Sequence, residues 1–166
     1  MIETTIQTIR DPEEKRRVAR AILEALPEWF GIPEARENYI RESAGQLMLA
    51  ASQDGGTIGF LCLKETGKAT LEIAVLGVRK EYHRRGVGAA LVEAAKRVAR
   101  ERGYSFLQVK TVRMGRYPEY DATNRFYLRC GFQEFEVFPT LWDEHNPCQI
   151  YVMSLGAAEG LDNSGF

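Results

Sequence analysis

The segment His83-Arg84-Arg85-Gly86-Val87-Gly88 sets three basic side chains and two glycines directly ahead of the amphipathic run that begins Ala89-Ala90-Leu91. The first turn of a helix carries backbone N–H groups with no intrahelical partner, and the helix dipole adds partial positive charge there. Glycine lets the backbone approach a ligand closely and take up positive φ, and arginine adds charge-assisted hydrogen bonds. The combination suits a compact polyanion such as a phosphate group. The residues that follow exclude the two most familiar phosphate loops. A Walker loop continues with Lys and then Ser or Thr, where this chain has Ala89 and Ala90. A dinucleotide fingerprint needs a third glycine at the position of Leu91.

Tyr127 and Glu72 have the chemistry for proton transfer. Asn124 and Tyr127 are three residues apart in "ATNRFYLRCGF" and share a helix face. Glu72 stands in "ATLEIAVLGV", where strand alternation puts Glu72, Ala74, Leu76 and Val78 on one face. The cysteines, Cys62, Cys130 and Cys148, are odd in number, far apart and without a CxxC pair, and His83 and His145 are isolated. No disulfide framework and no metal site is expected from that spacing. Nor does any cysteine have the setting of a nucleophile, so covalent catalysis through a thiol is disfavoured.

These groups need a scaffold, and 166 residues suffice for one domain with a core of its own. Hydrophobic residues at 45% and charged residues at 27% exclude a disordered chain. The longest apolar stretch, "IAVLGV", is too short to span a bilayer, so no membrane partner is expected. The first residues alternate and carry acids early, which reads as a strand rather than a signal peptide, with the cytoplasm as the expected location. Net charge is −1, yet the segment from Arg79 to Arg102 carries a local +5 and that from Tyr117 to His145 a local −4. A basic segment inside a nearly neutral chain fits a small polyanion better than a nucleic acid, which meets a broadly basic domain.

Along the chain, residues 2–9 alternate as a strand. Asp11 and Pro12 then open a helix with Val18, Ile22 and Leu26 at helical spacing. Pro33 opens a second, shorter helix. "GQLMLAAS", "TIGFLCLKE" and "ATLEIAVLGV" read as an antiparallel meander with turns at "QDGG" and "ETGK". After "RKEYHRRG" a helix turns Val87, Leu91, Ala94 and Val98 inward and ends at Gly103. "SFLQVKTV" is a strand, "RMGRYPEYDA" a loop, "TNRFYLRC" a short helix, "FQEFEVF" a strand, "PTLWDEHNP" a loop and "CQIYVMSL" the last strand. The expectation is a mixed α/β domain over residues 1–155, with about four helices on a largely antiparallel sheet, and a flexible tail over 156–166.

A strand ending "IAVLGV", the loop and helix "RRGVGAALVEAA", a further strand and then "ATNRFYLRCGF" together resemble the GNAT superfamily of acyl-CoA-dependent N-acyltransferases. The resemblance covers about residues 2–155 and is most specific between Leu71 and Phe132. The family's loop begins with Gln or Arg, then two residues, Gly, one residue, and Gly or Ala. Gly86 and Gly88 match, and His83 departs from it.

The resemblance implies a six- to seven-stranded sheet that splays between the strand ending at Val78 and the strand from Phe106 to Val112. The pantetheine arm of acetyl-CoA lies in that gap, bonded to main-chain groups around Leu76 and Val78. Backbone N–H groups from Arg84 through Arg85, Gly86, Val87 and Gly88 to Ala89 hold the pyrophosphate, with His83 offering a donor where Gln or Arg stands in relatives. Asn124 contacts the cofactor, and Tyr127 donates a proton to the departing thiolate. Tyrosine near ~10 exceeds a thiol near ~8.5 by only about 1.5 units, so that transfer is close to balanced. Glu72 matches a glutamate that is a general base in some members. A carboxylate near ~4.3 needs burial or a relaying water to deprotonate an amine, and an exposed residue at a strand's start is the alternative.

By the same resemblance the acceptor site lies among "PEWFGIPEA", "GRYPEY" and "TLWDEHNPC". Trp29, Phe30, Tyr39, Tyr117, Tyr120 and Trp142 stand there beside Glu28, Glu119, Asp143 and Glu144, a set suited to an amine. The expected function is transfer of acetyl from acetyl-CoA to a primary amine of a small molecule or peptide in a ternary complex, with a homodimer implied by the family alone. A non-catalytic acyl-CoA sensor of the same fold is the alternative, and Tyr127 and Asn124 count against it, because a sensor needs only the loop.

Overall fold

Each helix starts where the sequence supplies a stop to extended chain. Asp11 caps α1 (Pro12–Glu24), its Oδ2 accepting from the Glu14 N–H at 2.9 Å, with Pro12 at the first position. Proline likewise opens α2 (Pro27–Phe30), α3 (Pro33–Ser43) and α5 (Pro118–Arg129). The remaining elements are β1 (Thr5–Ile9), β2 (Leu47–Gln53), β3 (Gly56–Gly67), β4 (Thr70–Val78), a 3-10 turn (Lys80–Tyr82), α4 (Val87–Glu101), β5 (Phe106–Val112), β6 (Gln133–Asp143) and β7 (Asn146–Ser154). A computed structural model describes residues 3–156. All of the expected tail except Gly156 lies outside the described residues.

The strands form one seven-stranded sheet in the order β1-β2-β3-β4-β5-β7-β6, and β4–β5 is its parallel pair. Parallel neighbours need a crossover, which α4 supplies. One face of the sheet packs against α4 and α5 through Leu61, Leu71, Ile73, Leu91, Leu107, Tyr127 and Tyr151. The opposite face packs against α1 and α3 through Val18, Ile22, Leu23, Ile40, Met48, Phe60 and Val75. Leu91 is fully buried at the centre of α4, and truncating such a side chain to alanine costs about 2–5 kcal/mol. The inward face of α4 is wider than the expected stripe, because Val92, Ala95 and Ala99 are buried while Val98 is only half-buried.

Besides the start of α5 at Pro118, inside the segment "RMGRYPEYDA" expected to be loop, three expectations are corrected. Among the described residues there are five α-helices, the additional one being α2, a single turn set off by Pro27, Gly31 and Pro33. "PTLWDEHNP" is not a loop: β6 runs to Asp143 and β7 starts at Asn146. Asp143 Oδ1 closes this hairpin by accepting from the His145 and Asn146 N–H groups at 2.8 and 2.9 Å. The third concerns β4. The β3–β4 register jumps between Cys62↔Val75 and Leu63↔Ile73, leaving Ala74 as an extra residue. This bulge reverses the alternation, so Leu71, Ile73, Leu76 and Val78 face α4 while Glu72 and Val75 face the α1–α3 side.

Candidate active site

The parallel pairing of β4 with β5 covers four residue pairs, from Thr70↔Phe106 to Ile73↔Val109, and then stops. Both strands continue, β4 to Val78 and β5 to Val112, with no ladder between them. The bulge at Ala74 directly follows the last pair. The sheet is therefore split, and its two banks carry main-chain groups that face the gap.

Which groups face it follows from the ladders. Arg79 N–H donates to the Ile58 carbonyl at 2.8 Å, so Arg79, Gly77 and Val75 turn their main-chain groups toward β3. Leu76 and Val78 turn theirs toward the gap. On the other bank Arg113 N–H donates to the Pro147 carbonyl at 2.9 Å, which turns Arg113 and Thr111 toward β7 and leaves Lys110 and Val112 facing the gap. Two of these carbonyls are occupied by side chains. His83 Nε2 lies 2.6 Å from the Val78 oxygen, and Asn124 Nδ2 donates to the Val112 oxygen at 2.8 Å.

At the mouth of the split stands the basic loop. Arg84 has φ +62° and Gly86 φ +81°, so the chain turns through two left-handed residues into α4. No side chain caps α4, and its first backbone bond is Ala90 N–H to the Gly86 carbonyl at 3.0 Å. The N–H groups of Val87, Gly88 and Ala89 thus form the open, donor-rich end of a fifteen-residue helix. Arg84 and Arg85 are exposed beside it, the Arg85 guanidinium 5.9 Å from the centre of the Tyr82 ring. The two glycines differ in purpose. Space around Gly86 is open, so its requirement is the positive φ, whereas a Cβ at Gly88 would meet the Phe126 ring of α5 at 3.0 Å.

Across the gap, α5 presents a packed interior. Asn124 is fully buried with its amide committed: Nδ2 donates to Val112 and Tyr120 carbonyls at 2.8 and 2.7 Å, and Oδ1 accepts from the Tyr151 hydroxyl at 2.6 Å. Both amide hydrogens are committed and the side chain is fully buried, so the expected cofactor contact has no free donor in this arrangement. Its position instead ties α5 to the end of β5 and to β7. Tyr127 is 5% exposed and packs on the rings of Phe126, Phe132 and Tyr151 at 5.3, 5.6 and 6.1 Å. Burial, with smaller contributions from Cys130 and Tyr39, pushes its hydroxyl well above the usual tyrosine range, so it is protonated at neutral pH.

Glu72 lies at the foot of the split, 3% exposed, on the face opposite α4. Lys110 Nζ and Gln108 Nε2 each approach its Oε1 at 2.9 Å, and Lys64 Nζ lies 3.5 Å from Oε2. Glu72 is not on the face of Leu76 and Val78, and its carboxylate is held by these three side chains. Composition and spacing gave no sign of Lys64, Gln108 and Lys110 as its neighbours. Their register across β3, β4 and β5 is what brings them together.

Of the aromatics named for the acceptor, Trp29, Phe30, Tyr39 and Tyr120 gather between α2, α3 and α5. Phe30 and Tyr39 meet edge to face at 5.8 Å, and Tyr120 donates to the Trp29 carbonyl at 2.8 Å. Burial raises the Tyr39 hydroxyl, with Glu42, Glu72 and Cys148 adding to it, and pushes Tyr120 up to about 12. Of the acids, Glu119 stands with them, its carbonyl accepting from the Trp29 indole N–H at 3.2 Å, and the other three are engaged elsewhere. Glu28 pairs with Lys80, Asp143 closes the hairpin turn and Glu144 sits 3.5 Å from His145. Trp142 is 45% exposed on β6.

A seven-stranded sheet, a parallel pair split beyond a bulge and an uncapped helix N-terminus at the mouth of the split define an acetyltransferase architecture. The chain belongs to the acetyltransferase (GNAT) family, whose model matches residues 13–132. Among solved structures it is similar to the ribosomal-protein-S18-alanine N-acetyltransferase from Escherichia coli, with 19% identity, a TM-score of 0.73 and coverage of 96% of this chain and 99% of that one. An aminoglycoside 6'-N-acetyltransferase complexed with coenzyme A has 15% identity, a TM-score of 0.72 and coverage of 92% and 98%. An IAA acetyltransferase from Bacillus cereus has 21% identity, a TM-score of 0.70 and coverage of 92% and 99%. At these identities the likeness is one of fold. No curated protein sequence matches the chain. No described helix is long and apolar enough to cross a membrane.

Proposed function

We propose that the chain transfers an acetyl group from acetyl-CoA to a primary amine of a small molecule or peptide, by direct attack within a ternary complex. The observation that carries this reading is the split itself, with main-chain groups of Leu76 and Val78 turned into a gap whose mouth is the uncapped N-terminus of α4. The pantetheine arm would bond to β4 as a neighbouring strand does. The pyrophosphate would take the N–H groups between Arg84 and Ala89, with the two arginines adding exposed positive charge.

In this reading Tyr127 is the proton donor to the departing thiolate. Burial makes it a weaker acid than free tyrosine, and exclusion of water disfavours a departing thiolate in the same way. Donor and leaving group therefore shift in the same direction. The oxyanion that forms at the thioester carbon needs an N–H donor. Main-chain N–H groups of β4 beyond Ala74 stand where the ladder to β5 has ended. Glu72, held by Lys110 and Lys64, sets the charge on the acceptor face, and the amine loses its proton through water.

The test is calorimetric titration of the protein with acetyl-CoA, followed by release of free thiol against a panel of amines. Binding with amine-dependent thiol release is the expected result. Absence of cofactor binding overturns the proposal, and binding without turnover on any acceptor leaves the acyl-CoA sensor as the correct reading.

A further inference from the structure

The split begins where the β4–β5 ladder ends at Ile73↔Val109, and the first β5 residue past that rung is Lys110. Leu107 and Val109 turn toward α4, so Lys110 projects from the opposite face, on the side of α1 and α3. There its Nζ lies 2.9 Å from Glu72 Oε1. The side chain is 29% exposed, neither sealed in the core nor free in solvent. Lys64 approaches the same carboxylate at 3.5 Å, but it comes from β3, a strand further from the gap. Gln108 completes the set at 2.9 Å. Glu72 therefore keeps two partners when Lys110 leaves it.

Extended chain advances about 3.3 Å per residue, so the base of Lys110 stands one such step from the closed end of the gap. An arm bonded to β4 as a neighbouring strand runs from the α4 N-terminus toward that end. Its thioester then arrives beside Lys110, within the length of a lysine side chain. Tyr127 stands on the other face, packed under α5. A primary amine and a proton donor thus flank the end of the gap from opposite sides of the sheet.

We propose that Lys110 is itself an acetyl acceptor, so that the protein modifies its own chain at this residue. This rests on the reading of the split as the pantetheine groove. The ammonium first releases one proton to water, and the neutral Nζ attacks the thioester carbon. As the N–C bond forms and the C–S bond breaks, the nitrogen gives a second proton to water. The departing thiolate takes a proton from Tyr127, which regains one from water, and the third proton stays on the new amide. Glu72 holds the amine at the end of the gap beforehand and keeps Lys64 and Gln108 afterwards. Beside that carboxylate a neutral amide then replaces an ammonium.

The test is incubation of the full chain with acetyl-CoA, followed by peptide mass spectrometry that compares acetylation at Lys110 with that at Lys68, an exposed lysine between β3 and β4. Lys110 is expected to react about 100-fold faster, at a rate that about tenfold dilution of the protein leaves unchanged, because donor and acceptor are held in one complex. Excess coenzyme A, which fills the split without an acetyl group, should slow Lys110 and not Lys68. Tyr127→Phe should slow Lys110 about 100-fold, the scale of a lost general acid, and leave Lys68 as it is. Acetyl-CoA binding is measured on the same samples by calorimetry. If the protein binds acetyl-CoA, self-acetylation alone is overturned when Lys110 reacts no faster than Lys68, slows on dilution, or is indifferent to excess coenzyme A or to Tyr127→Phe. No binding at all overturns the function proposal and self-acetylation with it.

Discussion

The two banks of the split recognise their surroundings by different means. From Leu76 to Ala89 the β4 bank offers main-chain groups, a helix terminus and exposed side chains that are replaceable one at a time. The α5 bank is a closed set, in which the Asn124 amide, the Tyr151 hydroxyl and the Val112 and Tyr120 carbonyls depend on one another and Tyr127 packs by its ring. Backbone recognition tolerates a change such as histidine at position 83, because the donors belong to the fold. A buried side-chain network does not, because removing one member strands the others in a dry interior.

The largest test of this contrast is Asn124→Ala. It leaves the Val112 and Tyr120 carbonyls and the Tyr151 hydroxyl without their partner, and should destabilise the protein by about 3 kcal/mol or more in urea denaturation. His83→Ala, on the opposite bank, should cost under about 0.5 kcal/mol by the same measurement, as for ordinary exposed positions. Equal costs would dissolve the distinction between the banks.

Next is Tyr127→Phe, expected to lower turnover on the order of 100-fold, the scale of a lost general acid, with acetyl-CoA affinity retained in calorimetry. The same substitution has a pH signature. The Tyr127 hydroxyl is raised in the folded protein, so its contribution to stability is complete below about 10 and is lost as pH rises beyond that, where the unfolded tyrosine ionises first. Thermal melts between about pH 9 and 12 should fall less steeply for Tyr127→Phe than for the parent protein.

Smaller effects probe the meeting of the banks. Gly88→Ala brings a methyl to 3.0 Å from the Phe126 ring and should cost about 1–2 kcal/mol in denaturation. Adding Phe126→Leu should recover part of it, since the two positions touch. Smallest is Arg84→Ala, expected to weaken coenzyme A binding about threefold at low salt and less at high salt, because the side chain is exposed.

Legibility in the sequence followed the range of the interactions. The turns at Asp54-Gly55 and the helix starts at Pro12 and Pro33 are local and were read correctly. Residues 139–147 read as a loop because Pro139, Asn146 and Pro147 are turn residues, whereas β6 continues past the Phe138↔Cys148 pair to the closing pair Asp143↔Asn146, which no local signal marks. The bulge at Ala74 has no local mark, and one extra residue moved Glu72 to the other face. Asn124 was noticed by its place in the chain, but its three partners come from β5, β7 and its own preceding turn.

By itself the sequence determined the order of elements, the uncapped glycine entry to α4 and hence a site for a polyanion, because capping, left-handed turns and helix dipoles act within a few residues. Only the tertiary structure decided where β4 and β5 part, which carbonyls face the gap and which side chains hold them. Those depend on register between strands that are separate in the sequence, and a period of two makes every such assignment turn on a single residue.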